Sequence, residues 1–453
     1  MPQIPRSIPN QTSGGGVSIE THRSELVWQH LSRFCVIYGI GWLLALAYIG
    51  LVAAALNYSW PRDSFNYTPA DRYGDLTRSW SQSIVPNPYK AYGKAFEGSY
   101  FPPAYAFLRL FRSFTSKTVV LIFMFGSYAG MASMWVWWLR RQRPIWKSDS
   151  RWPMVAILSL FVVLCSYPMA VAIDRGNIDP LATFLLFWAF ELARRGHRLA
   201  GSLVMAVAAS PKGFPFAAVL YWVRRRAVLS ILVATSVLVA LILLPAMLFE
   251  GGIRESMRAL TVNLSGFRHL YVLGSASAHY SSDWINALRL LNRWYLQIPL
   301  DMAVVVSVHE KVILVCVGLL VLGALIVIQD AWREFLAIVL IMLIYPNVTN
   351  DYKLILLVVP ILEWFSSDAR GWRSNLFCVS SALLLVPKHY YFPKVVDHAS
   401  ISCIINPILI TTLMAVLWPT SQERSRLAFL IKSSLDRASR LTFRPSGTVS
   451  TAA

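Results

Sequence analysis

Apolar stretches recur along the whole chain, with arginines gathered between many of them, and this alternation limits what the chain can become more than any other feature. The stretches lie near residues 34–56, 118–138, 152–173, 179–193, 227–249, 311–328, 334–346, 353–366, 374–388 and 402–418. A membrane span needs roughly 20 mainly apolar residues, fewer where neighbouring helices shield it. An all-α polytopic membrane protein with about 10 spans is therefore expected. With 56% hydrophobic and 14% charged residues, a soluble globule, a disordered chain and a disulfide scaffold drop out. The net charge of +19 would point to nucleic acid on a soluble protein. Here it gathers in groups such as Arg140, Arg141 and Arg143, then Arg194, Arg195 and Arg198, then Arg224, Arg225 and Arg226. Polytopic proteins mark their cytoplasmic turns in this way, so membrane lipid, and no nucleic acid, is the expected partner.

Cys35, Cys165, Cys316, Cys378 and Cys403 sit in apolar stretches without CxxC spacing and read as thiols acting as small hydrophobes. Residues 1–30 are rich in Ser, Gly, Gln and Pro and read as a cytoplasmic tail before an uncleaved first span. Residues 31–420 then form the membrane domain. In residues 421–453, Leu427, Leu430, Ile431 and Leu435 stand among arginines, as in a basic interfacial helix.

One stretch breaks the pattern. In residues 199–223 two apolar halves meet at Ser210, Pro211, Lys212, Gly213, Phe214 and Pro215, and arginines flank both outer ends. Two prolines and a glycine break a helix at its middle, so a re-entrant hairpin with Lys212 at its tip is expected. With the N-terminus inside, alternation places the arginine groups in the cytoplasm. Residues 57–117, 174–178, 250–310, 346–352 and 387–400 are left outside. The first of these is too long for a simple connection and too aromatic for disorder, so it is expected to carry short interfacial helices.

The outer segments hold the side chains that could do chemistry. Asp174, Arg175, Asn177 and Asp179 crowd one short turn, where charge at a membrane edge is costly. Asp179 also fits a simple helix start, with Pro180 in the first turn. An unpaired ammonium in mid-span costs roughly 3 kcal/mol, so Lys212 on a helix break is placed to meet a phosphate, unless it snorkels to a headgroup. The turn from Tyr345 to Lys353 brings Asn347, Thr349, Asn350, Asp351 and Lys353 between two apolar helices. Asp63, Asp71 and Asp75 in the first outer loop compete for a catalytic role, and periodicity does not choose between them. His269, His279, His389 and His398 lack the spacing of a compact metal site, so no metal ligand is assigned. Sequons occur at Asn57, Asn66, Asn263 and Asn347 and carry no argument by themselves.

The order Arg175, Gly176, Asn177, Ile178, Asp179, then Arg194, Arg195, Gly196, Leu199, Ala200, Gly201, Ala208, Ala209, Lys212, Pro215 and Arg224 to Arg226 resembles the core of glycosyltransferase family 87, a polytopic group of the GT-C superfamily. Asp75, the Asn87, Pro88, Tyr89 step and Phe101, Pro102, Pro103 resemble that family's first-loop pattern, and Asn350 to Leu354 resembles a later element. Together these cover roughly residues 70–365. Many members carry Gly-Gln where this chain has Arg175 and Gly176. The resemblance implies a transferase on the extracytoplasmic face that takes a sugar from a polyprenyl-phosphate carrier and passes it to a glycolipid or glycan. It implies Asp75 as general base. The cations that could hold the donor phosphate are then Lys212 and Arg175, with Lys353 behind them. Asn177, Asp179 and Asp351 would orient sugar or base. No cofactor beyond the donor is called for, and the implied location is a bacterial inner membrane with both termini cytoplasmic. A transporter or flippase of lipid-linked sugars would also use a broken helix with a lysine at its tip. An O-antigen polymerase or ligase would use outer arginines such as Arg254, Arg258 and Arg268.

Overall fold

The computed structural model of the chain describes residues 16–56, 72–90, 98–146, 149–274, 281–345, 348–388 and 401–442. These residues are almost wholly helical, and the β-pairing among them is an isolated bridge between Ser281 and Asn350. In chain order the α-helices are α1 (Gly16–Leu56), α2 (Gly74–Ser83), α3 (Pro102–Arg109), α4 (Ser116–Gln142), α5 (Trp152–Leu164), α6 (Tyr167–Arg175), α7 (Asp179–Arg194), α8 (Arg198–Ala209) and α9 (Leu220–Arg224). Then follow α10 (Val228–Leu248), α11 (Gly252–Phe267), α12 (Trp284–Leu291), α13 (Met302–Leu322), α14 (Ala331–Ile344), α15 (Val358–Phe365), α16 (Trp372–Leu384), α17 (Ser402–Val416) and α18 (Ser421–Thr442).

Four segments are long and apolar enough to cross a membrane: His22–Tyr48, Ser116–Trp146, Val228–Leu248 and Met302–Val327. Two bent pairs, α5 with α6 and α17 with the start of α18, raise that number to 6 among the described residues. The other stretches expected to span form α7, α14, α15 and α16, and these run for only 16, 14, 8 and 13 residues. Hydropathy reports composition, not surroundings. Almost all of α14 and every residue of α15 are buried against other helices, so they are apolar because they are the core of the protein.

Two further segments are helical. Helix α1 begins at Gly16, so Leu26, Val27 and His30 of the expected tail are packed residues. His30 stacks on Trp364 at 4.4 Å, and its Nε2 lies 2.8 Å from the Ala369 carbonyl. The described residues of 250–310 are largely helical, and α13 starts at Met302, where the Asp301 carboxylate accepts from the backbone of Ala303 at 2.9 Å. The described residues between α1 and α4 include two short helices, α2 and α3.

The broken hairpin is present. Helix α8 rises to the turn containing Lys212, and a 3-10 turn over Phe214–Val219 leads back down through α9. At the far end the arms are joined where Trp222 Nε1 donates to the Arg198 carbonyl at 3.2 Å. Gly201 lets α8 approach α7 closely, since a Cβ there would fall 2.5 Å from the Ala189 carbonyl oxygen.

The 16 residues of α7 set two charged clusters about 24 Å apart at 1.5 Å per residue. At its C-terminal end, Glu363 is gripped by Arg141 at 3.0 and 3.2 Å and by Arg194 at 2.7 Å through each oxygen. Glu191 accepts from Arg141 and from Trp137 Nε1, both at 3.1 Å, and also pairs with Arg194. Nearby, Arg225 holds Glu334 at 2.6 Å, and Arg333 holds Glu423 at 2.9 Å. The second cluster lies at the N-terminus of α7.

Candidate active site

That second cluster begins with the way α6 stops. Gly176 takes a left-handed conformation at φ 67, its N–H bonds to Ile173 at 3.0 Å, and the Asn177 N–H returns to Ala172 at 2.7 Å. This is a Schellman closure, which satisfies the last carbonyls of the helix and turns the chain sharply. Glycine is needed here for a second reason: a Cβ would stand 2.6 Å from Leu76 Cβ. The bare backbone lets the start of α2 dock on the turn, and the Tyr73 N–H donates to the Asp174 carbonyl at 2.6 Å. Asp75, in the first turn of α2, thereby faces the side chains that follow the closure.

Both oxygens of Asp75 are engaged. Arg175 Nη2 donates to Oδ1 at 2.7 Å, and Asn177 Nδ2 donates to Oδ2 at 2.9 Å. The Asn177 carbonyl oxygen accepts from Lys212 Nζ at 2.6 Å, and Lys212 also donates to Asp179 Oδ1 at 2.6 Å. A continuous polar chain thus runs from Asp75 through Asn177 to Lys212 and Asp179. Asp179 is fully buried, and its Oδ2 finds no hydrogen-bond partner among the described residues. An unmet carboxylate oxygen in a buried site is a place where a ligand hydroxyl can donate.

The stretch before α3 closes over this cluster. The Phe101 N–H donates to the Pro211 carbonyl at 2.9 Å, and Gly213, at φ 75, lies beneath the Phe101 ring, which a Cβ would meet at 2.9 Å. This docking carries Tyr100 over the hairpin tip. Lys212 Nζ sits 5.4 Å from the Tyr100 ring centre and 5.3 Å from that of Tyr352. Two π faces flank one ammonium, a cation–π contact on each side. Burial first, and then the charges of Asp75 and Asp179, push the Tyr100 hydroxyl well above its ordinary value of 10, so it stays neutral. Neither tyrosine was singled out from the sequence, because aromatic residues at a membrane interface are common and their direction is not written in their spacing.

The structure separates the turn after α14. A 3-10 helix over Asp351–Leu357 rotates successive side chains by about 120°. Tyr352 reaches the Lys212 cluster, and Asn350 Nδ2 steadies its hydroxyl at 2.7 Å. Asp351 turns instead to Ser282 Oγ and Asn406 Nδ2, each at 2.7 Å. Lys353 donates to the Val348 carbonyl at 2.7 Å and stands 5.4 Å from the Phe214 ring centre, behind the hairpin tip. Asp75, Arg175, Asn177, Asp179 and Lys212 are therefore one cluster, while Asp351 and Lys353 pack beside it with partners of their own.

Asp63 and Asp71 lie outside the described residues, as do His279, His389, His398, Asn57, Asn66 and Asn347. Asn263 is buried, its amide donating to the Tyr89 carbonyl at 3.2 Å, so that sequon is a structural asparagine. His269 is exposed on a π-helical turn. Arg258 pairs with Glu255 at 3.1 Å and Arg268 with Glu310 at 2.8 Å, while Arg254 is exposed on α11. These three arginines do not join the cluster.

Comparison with known proteins gives the family. The family model described as Glycosyltransferase family 87 matches residues 99–346, more than half of the 453-residue chain. No curated protein matches. The matched region contains Arg175, Asn177, Asp179 and Lys212, and it begins after Asp75.

Proposed function

The chain belongs to glycosyltransferase family 87 and is a membrane-helical glycosyltransferase; from that premise we propose that it moves a hexosyl or pentosyl unit from a polyprenyl-phosphate donor to a hydroxyl of a glycolipid or glycan. We place the reaction on the extracytoplasmic face of a bacterial inner membrane, in a GT-C type scaffold whose short buried helices complete the spans.

The observation that carries the reading is the polar chain from Asp75 through Asn177 to Lys212 and Asp179, because it sets two carboxylates and two cations around one site. Asp75 takes the proton of the acceptor hydroxyl as that oxygen attacks the anomeric carbon. The bond from the anomeric carbon to the phosphate oxygen breaks, and its electron pair leaves with the polyprenyl phosphate. Arg175 and Lys212 stabilise the charge that develops there. An ammonium has three N–H groups, and Lys212 commits two to Asn177 and Asp179, which leaves one for a phosphate oxygen. A phosphate leaving group needs no strong acid, and a single displacement inverts the anomeric centre. Asp179 Oδ2 is a ready acceptor for a sugar hydroxyl.

The test is direct. Purified protein incubated with radiolabelled polyprenyl-monophosphate sugars and a membrane-lipid extract is expected to yield a labelled glycolipid or glycan. Labelled product from diphosphate-linked donors alone would replace the monophosphate reading with that of a polymerase or ligase.

A further inference from the structure

A second site lies at the opposite end of the bundle, where α1 passes the turn between α15 and α16. A polar cavity of about 380 Å³ opens there, lined by His22, Glu25, Gln29, His30, Arg33 and Arg370 among others. Its charge is not balanced. Glu25 is drawn away to Arg151 at 2.8 Å, while Arg370 Nη2 meets the ring of His22 at 2.8 Å. Among the described residues neither Arg33 nor Arg370 has a carboxylate within 4.0 Å. This contrasts with Arg141, Arg194, Arg225 and Arg333 at the same end, each of which holds a carboxylate.

The helix continues the site in a second chemistry. His22, Glu25, Gln29 and Arg33 follow one another at three- and four-residue steps, and the same stripe runs on through Val36, Ile40 and Leu44. Those three side chains are 60%, 52% and 62% exposed, so the face that is polar beside the cavity is bare and apolar below it. From Arg33 to Leu44 the helix rises about 16 Å, close to half the ~30 Å hydrocarbon thickness of a bilayer.

We infer that this face of α1 binds one anionic glycerophospholipid, its phosphate between Arg33 and Arg370 and an acyl chain along Val36, Ile40 and Leu44. Basic pockets between membrane helices bind acidic headgroups, and each arginine contributes through a charge-assisted hydrogen bond to phosphate. A zwitterionic headgroup gains less, because the carboxylate that would meet its ammonium is already held by Arg151. A free phosphate has no use for the apolar half of the stripe. The site is separate from the Asp75 cluster and does not depend on the reaction assigned to it.

The experiment uses the full chain, purified and delipidated in detergent, with lipid binding followed by native mass spectrometry and by melting temperature. Phosphatidylglycerol is expected to bind and to raise the melting temperature; phosphatidylcholine and inorganic phosphate are not. R33Q with R370Q should weaken phosphatidylglycerol about twenty-fivefold, about fivefold for each arginine removed, while R33K with R370K keeps most of the binding. Both positions are exposed, so the single R33Q variant gives an independent fivefold reading if the double variant folds poorly. Equal binding of phosphatidylcholine, an equal shift with inorganic phosphate, or unchanged affinity in the double variant would each overturn the assignment.

Discussion

The two ends of α7 carry nearly the same charges and put them to different uses. At the C-terminal end two carboxylates, Glu191 and Glu363, meet two guanidinium groups, and all four carboxylate oxygens accept hydrogen bonds. At the N-terminal end Asp75 and Asp179 meet Arg175 and Lys212, yet an asparagine stands between the pairs and one Asp179 oxygen is unmet. The first arrangement is closed: planar guanidinium forks match carboxylates edge to edge and leave no acceptor over. The second is open, because an ammonium is a point charge with an N–H to spare and a bridging amide cannot close the circuit. Charge pairing alone therefore does not mark a site of chemistry. Unfilled hydrogen-bonding capacity beside the pairs does.

The largest effect that would test this contrast is at Asp75. Asp75→Asn keeps the size of the side chain and one of its two accepted hydrogen bonds, and turnover per folded molecule should fall by about 10²- to 10⁴-fold, the span of a lost general base. Turnover close to wild type would make the open cluster as structural as the closed one. The reverse outcome is expected at the other end. Glu363→Gln breaks a pair in which the carboxylate is 6% exposed and its arginine partners 26% and 33%. Unfolding free energy should fall by about 3 kcal/mol, the low end of the range for a broken buried pair. Turnover per folded molecule should hold. A variant that melts like wild type but has lost activity would show that the closed end takes part in the reaction.

Much of this contrast could be seen before the fold. Lys212 and the turn from Asp174 to Asp179 stood out because charge within apolar sequence is costly and is kept only for a reason. The prolines and glycine around Lys212 announced the break that the hairpin makes. What could not be seen was direction. Asp351, Tyr352 and Lys353 are neighbours in sequence, but the 3-10 turn sends them to three different sets of partners. Which apolar stretches form long helices was hidden too. α14 and α15 are as apolar as spans because protein surrounds them, and hydropathy does not distinguish a protein interior from lipid. Helix α1 starts at Gly16, and in its first described turns His22, Glu25 and Gln29 follow one stripe while Leu26, Val27 and His30 are buried.

The smallest effect sharpens what makes the open end open. If the two tyrosine faces hold Lys212 as a charged group, the ring of Tyr100 matters and its hydroxyl does not. That hydroxyl is raised well above 10, chiefly by burial, so it stays protonated through any ordinary assay pH and adds no titration of its own. Tyr100→Phe should leave donor affinity and the pH profile unchanged. Tyr100→Leu keeps apolar volume but removes the π face, and with Tyr352 still on the other side the loss should be about 1 kcal/mol, or roughly a fivefold rise in KM for the lipid donor. The closed end supplies the control. Arg195 lies 3.9 Å from the Trp137 ring centre, and Trp137→Leu there should alter melting temperature and not KM. Equal effects of Tyr100→Phe and Tyr100→Leu on KM would locate the contribution in the hydroxyl and remove the π faces from the account of Lys212.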